Sequence, residues 1–165
     1  MKHIFSSTFI VGSLMLISSG QVMAEGDTQT QIDAIKGALP KFAVPMREVG
    51  DRFQNMYFAA KGGNWALAAY MSKYMDKALN PAKVTKPEEY MTWRKFYDGG
   101  FVPVNTAIQA KDMKAFDAAF KETITKCNNC HAMMDYGFIQ VVKQDKPADV
   151  GIEYKLSSEP GAVPK

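Results

Sequence analysis

The sequence is poor in the residues that usually carry metal and redox chemistry. Of its 165 residues, two are cysteine and two are histidine. Any chemistry that needs them is therefore confined to very few places. Charge of one sign is also lacking. The formal net charge is +3, small and dispersed, and gives no basic footprint for nucleic acid. After the N-terminal segment no apolar run is long enough to cross a membrane. Runs of β-branched residues are scarce, whereas Leu, Ala and Met are frequent, which favours helix over strand. No internal repeat is present. The length suits one domain, or one domain with a tail.

The N-terminus reads as a processing segment. Lys2 and His3 make a short basic start, residues 4–17 are mostly apolar, and Val22-Met23-Ala24 offers small residues for cleavage. The apolar run is too short for a stable membrane span, and an uncleaved anchor is the alternative. Cleavage after Ala24 is expected, giving an exported, bacterial periplasmic chain. The mature chain then has 19 basic residues against 17 acidic ones, a balance of +2, and no membrane span. His3 leaves with the leader, so His131 becomes the only histidine.

Apolar residues then recur at spacings of three and four. Residues 27–39 carry Ile32, Ile35 and Leu39, and Pro40 and Pro45 interrupt them. A helix over 46–61 presents Met46, Val49, Phe53, Met56 or Tyr57, and Ala60, and Gly62-Gly63 ends it. Asn64 is the expected N-cap of the next helix, whose inner stripe is Ala68, Met71, Met75 and Leu79. Thr85-Lys86-Pro87-Glu88 has capping-box spacing. It opens a third helix with Tyr90, Trp93 and Phe96 or Tyr97 inward, bent or broken at Gly99-Gly100 and Pro103. Asp112 caps a fourth helix whose stripe runs Met113, Phe116, Phe120, Ile124, Cys127, His131, Met134, Phe138, Val141. The pattern predicts an all-α fold, an antiparallel four-helix bundle, with three helices and irregular loops as the alternative. The expected organisation is a signal peptide over 1–24, a helical domain over 25–145 and an extended or disordered tail over 146–165.

The chemistry concentrates in "TITKCNNCHAMMDYGF", residues 123–138. Cys127-Asn128-Asn129-Cys130-His131 has the Cys-x-x-Cys-His spacing of covalent haem attachment. Two thioether bonds fix the porphyrin, the next residue reaches the iron, and Asn128 and Asn129 need only complete the turn. A structural zinc site needs four ligands, and the mature chain offers three Cys and His residues in all. A redox dithiol belongs near a βαβ pattern, which is missing. A plain disulfide leaves the adjacent histidine unexplained. The expected cofactor is one covalent haem c, near the C-terminal end of the last helix. Its proximal ligand is His131, whose second ring nitrogen would donate to a carbonyl or carboxylate.

With no second histidine, methionine is the remaining soft ligand for the far side of the iron. In an up-down-up-down bundle the start of the first helix lies beside the end of the fourth. Met46 is placed there, whereas Met56 is about 15 Å further along the axis. Arg52 is a candidate partner for a haem propionate, the alternative being solvated surface charge, as for Arg47.

A haem motif late in a four-helix pattern resembles the class II cytochromes c, the cytochrome c-prime family, over about residues 28–143. "PMREVGDRFQNMYFAAKGGNW" is similar to the family's Met, Arg and Lys-Gly stretch, and "EYMTWRKFYDGGF" to its Trp followed by a later Phe. The family's low-spin members carry a ligand methionine sixteen residues before the Lys-Gly glycine, the separation of Met46 from Gly62. The resemblance implies an electron carrier with redox partner proteins, and pairing of copies through the first two helices. Trp65, Tyr70 and Tyr74 are candidates for that contact unless they pack under loops. Met134 and Asp135 stand where the family often has an aromatic residue and then Arg, so its pH-dependent spin behaviour is not carried over.

Two other functions compete. With Phe42, Met46 or Phe53 packed over an open iron position, the protein would bind nitric oxide or carbon monoxide. A peroxidase would need a distal acid–base group, for which only a carboxylate, Arg47 or Arg52 is left. The expectation is a non-enzymatic electron carrier.

Overall fold

The computed structural model describes residues 18–156, and among them every regular element is helical. The chain divides into two compact units at Ala38/Leu39. The expected leader falls largely on residues 1–17, outside the described residues, as do 157–165 of the tail. Among the described residues no helix is long and apolar enough to cross a membrane.

The first unit contributes α1, Ser18–Ala38. It begins well before the helix expected over 27–39, and it stops two residues short of Pro40, which disfavours helix in the residue before it. Ile32 and Ile35, which carry its apolar spacing, are exposed.

The second unit begins afresh with α2, Ala43–Lys61, with Pro45 in its first turn. A left-handed Gly63 (φ +82°) closes it, with Asn64 N–H donating to Ala59 O and Gly63 N–H to Ala60 O. Asn64 then caps α3, Trp65–Ala78, by accepting from Leu67 N–H at 3.0 Å. Its expected stripe of Ala68, Met71, Met75 and Leu79 is buried. A single turn, α4 (Ala82–Thr85), follows. Thr85 does not cap the next helix; its hydroxyl donates to Pro81 O and Pro40 O, and Lys86 holds the N-cap position. The interrupted third segment is two helices, α5 (Pro87–Gly100) and α6 (Val102–Ala110). Asp112 caps α7, Met113–Met133, accepting from Lys114 and Ala115 N–H.

Aromatic rings fill the centre. Phe53 stacks on Phe120 at 4.1 Å, and Tyr57 packs against Phe116 at 6.3 Å and Phe120 at 4.8 Å. Trp65 is drawn inward, edge-on to Phe116 at 6.1 Å, so it packs in the core while Tyr70 and Tyr74 stay exposed. Across the α3–α6 contact Ser72 Oγ donates to Asn105 Oδ1 at 2.6 Å, and Tyr97 donates to Ser72 O at 3.1 Å. These bonds satisfy polar groups that burial would otherwise strand.

The apolar stripe of α7 runs past the helix end, and the backbone does not follow it. Asp135 turns left-handed (φ +62°), Tyr136 N–H donates to His131 O at 2.7 Å, and Asp135 N–H donates to Ala132 O. This is the double hydrogen-bonded helix stop, with Asp where glycine is usual. Phe138 therefore lies beyond the helix and is 81% exposed. The chain then doubles back over the helices, and Ile152 and Tyr154 pack against the core.

Candidate functional site

Cys127, Cys130 and His131 occupy the last two turns of α7. At about 100° per residue their side chains share a sector of about 100° on one side of the helix. The two thiols are not bonded to each other, and both cysteines are half-buried. Burial pushes the Cys127 thiol up to about 12, with the neighbouring Cys130 adding to it, and burial raises Cys130 as well. Both stay protonated near neutral pH. A catalytic dithiol is marked by the opposite, a stabilised thiolate. Among the described residues no three of His, Cys, Asp and Glu converge to hold a metal ion.

His131 is oriented by its own helix's outgoing chain. Its Nδ1 lies 2.8 Å from Ile139 O. A carbonyl only accepts, so Nδ1 carries a proton, and the neutral form of the ring has its lone pair on Nε2. Nε2 has no hydrogen-bond partner among the described residues. That is the tautomer of a histidine ready to ligate through Nε2.

Two further residues serve this arrangement and were not visible from the sequence. Asn128, between the cysteines, grips Val141 with both ends of its amide, at 3.0 Å to Val141 O and 2.7 Å from Val141 N. Gln54 of α2 does the same for the next residues, donating to Val142 O at 2.8 Å and accepting from Gln144 N at 3.2 Å. Neither belongs to a pattern with a local signal, because each partner is more than ten residues away.

The register of α2 against α7 locates Met46. Phe53 meets Phe120 and Tyr57 meets Phe116, so the two helices run oppositely. Continued at that register, Met46 is level with Cys127 and Phe42 with His131. The axial offset from Met46 to His131 is about 6 Å, whereas Met56 is about 21 Å away and fully buried in the core. Met46 is half-buried and packs on the core edge. Arg52 is committed elsewhere. It pairs with Glu48 at 2.6 Å, touches Met71 Sδ at 3.9 Å and lies 6.0 and 5.9 Å from the Tyr70 and Tyr74 rings. A propionate contact would require the guanidinium to leave these partners.

One observation bears directly on whether a haem suits this end of the domain. Next to the motif, Met133, Tyr136, Phe138 and Ile139 expose apolar surface, Met133 to 76%, of the kind a porphyrin covers. Trp93 is buried with an Nε1–H that has no acceptor, an arrangement that normally requires one. Its ring lies among those of Phe96, Tyr97 and Phe101. The donor set and surroundings fit the group. Clefts of about 340 Å³ beside Arg52 and Asp149, and of about 350 Å³ beside Ser72 and Asn105, include none of Met46, Cys127, Cys130 and His131.

No family model matches the chain, and no curated protein or solved structure shows significant similarity to it.

Proposed function

We propose that the chain is an exported mono-haem c-type cytochrome that carries electrons between partner proteins in the bacterial periplasm. In this reading α2, α3, α5–α6 and α7 form an antiparallel four-helix bundle resembling class II cytochromes c. Cys127 and Cys130 tether the porphyrin by thioether bonds, and His131 Nε2 is the proximal ligand. The observation that carries the reading is the bare Nε2 of His131 beside the two thiols, fixed by Nδ1–H donation to Ile139 O.

The bound haem supplies a reversible one-electron couple. The protein's part is to hold and tune it. By accepting the hydrogen bond from Nδ1–H, the Ile139 carbonyl would make His131 a better electron donor. Met46, on the facing helix, would be the sixth ligand, and such ligation would raise the reduction potential and leave no open position for substrate.

A second reading follows from the register. Phe42, level with His131, would pack an apolar face opposite it and leave a five-coordinate iron that takes nitric oxide or carbon monoxide. Visible spectra of oxidised and reduced protein, with and without carbon monoxide, separate the two. Electron transfer predicts a low-spin spectrum with a sulfur-to-iron charge-transfer band that Met46→Ala abolishes. A high-spin, carbon monoxide-binding spectrum refutes it in favour of the second.

A further inference from the structure

Beyond α7 the chain does something the haem motif does not require. Residues 139–144 run extended along α7 and α2 with no strand beside them. Five of their backbone groups pair with side chains instead. From one end to the other, Ile139 O accepts from His131, Val141 pairs doubly with Asn128, and Val142 O and Gln144 N–H pair with Gln54. Behind these, Asp149 N–H donates to Asn55 Oδ1 at 3.0 Å.

We infer that residues 139–144 are a strap that sets the tautomer and orientation of His131, and that Asn128 and Gln54 are the positioning residues that hold it. The inference rests on the proposed ligation by His131, which it deepens. Ile139 is pinned on both sides. Its own N–H donates to Tyr136 O at 2.8 Å, and Asn128 grips the chain two residues later. The acceptor of the Nδ1 proton therefore has little freedom while the grip holds. Asn128 stands three residues before His131 on the same helix, so histidine and acceptor are fixed to one rigid element. Gln54 ties the strap to α2, the helix that carries Met46, which links the two sides of the proposed iron site through the protein. The other spacer of the motif, Asn129, is exposed and makes no side-chain hydrogen bond. The two neighbouring asparagines thus have different duties.

Removing the strap weakens Nδ1–H donation, makes the imidazole a poorer donor to oxidised iron and raises the reduction potential. The test uses the holoprotein with Asn128→Ala, Gln54→Ala and Asn129→Ala. Gln54→Ala reports on the strap without touching the motif. The first two variants should raise the potential and speed exchange of the Val141 amide hydrogen about tenfold, the order expected for a lost hydrogen-bonded clamp. Asn129→Ala should match the wild type in both. An unchanged or lowered potential in Asn128→Ala and Gln54→Ala overturns the inference, even if Val141 exchanges faster. If the purified wild-type chain carries no haem, the ligation reading fails, and ring-nitrogen NMR of His131 still decides the strap. An Nδ1–H tautomer that Asn128→Ala converts to a mixture supports it, and a mixture already in the wild type overturns it.

Discussion

The proposed placement of Met46 level with the Cys-x-x-Cys-His motif depends on one packing fact, the register of α2 against α7. Phe120 anchors it. The ring is fully buried, stacked 4.1 Å from Phe53 and within 4.8 Å of Tyr57 and 6.0 Å of Phe116. Truncation to alanine removes a large buried ring and leaves a cavity that helices on two sides cannot easily close. The expected loss is about 3–5 kcal/mol, out of a total stability of about 5–15 kcal/mol for a domain of this kind. The sharper test is a double-mutant cycle of Phe53→Leu with Phe120→Leu, followed by urea unfolding and circular dichroism. A stacked pair should show a coupling of about 0.5–1.5 kcal/mol beyond the single losses, with the urea slope unchanged. A cycle that closes to zero would mean that these rings do not meet. The register would then fail, and with it the placement of Met46 level with Cys127.

Other expectations follow from the same geometry. Gly62→Ala would put a β-carbon 2.2 Å from Tyr154 O, so the returning tail must lift. The loss should be about 1–3 kcal/mol, with faster proteolysis within residues 145–156. Asp112→Ala removes the acceptor for two N–H groups of α7 and should lower stability by about 1 kcal/mol in the same urea assay. The Asp117 carboxyl is held below the usual carboxylate range, chiefly by the hydrogen bond from Lys121, with Lys143 and Tyr57 assisting. Its contribution is therefore present above the unfolded value of about 3.9 and is lost as pH falls through the lower folded value. Lys143 is raised, first by its hydrogen bond to Tyr57, so its contribution is lost only as pH rises through its raised value, beyond about 10.4. The urea midpoint should fall on the acid side below about pH 4, and Asp117→Asn should flatten that part of the profile.

Local chemistry was legible in the sequence where it acts over three or four residues. Asn64 and Asp112 cap helices because each side chain reaches the N–H groups just after it. The stripe of α3 is buried as its spacing demands. The break near Gly99-Gly100 is real, with Pro103 opening α6 where its missing N–H does no harm. Illegible features depend on distant partners or on a close choice between conformations. Asp135 stops α7 by adopting a left-handed backbone that Gly137, two residues on, would take more readily. Thr85 has the spacing of a capping box but spends its hydroxyl on Pro81 and Pro40. Trp65 looked like a surface ring and packs on Phe116, fifty-one residues away in the chain. The candidate site divides in the same way. The Cys-x-x-Cys-His spacing is visible at once, whereas the strap that grips Asn128 and caps His131 has no local signature. The guanidinium of Arg52 lies among Glu48 of its own helix and two tyrosines of α3, and only the Glu48 pair, four residues away, had a local signal.

The central claim is that Cys127 and Cys130 carry one haem covalently. The most direct test is the intact mass of the purified protein under denaturing conditions, with and without a thiol-alkylating reagent. The account predicts the mass of the processed chain plus one haem, with no cysteine open to alkylation. A chain at its own mass, with both thiols alkylated, would contradict it.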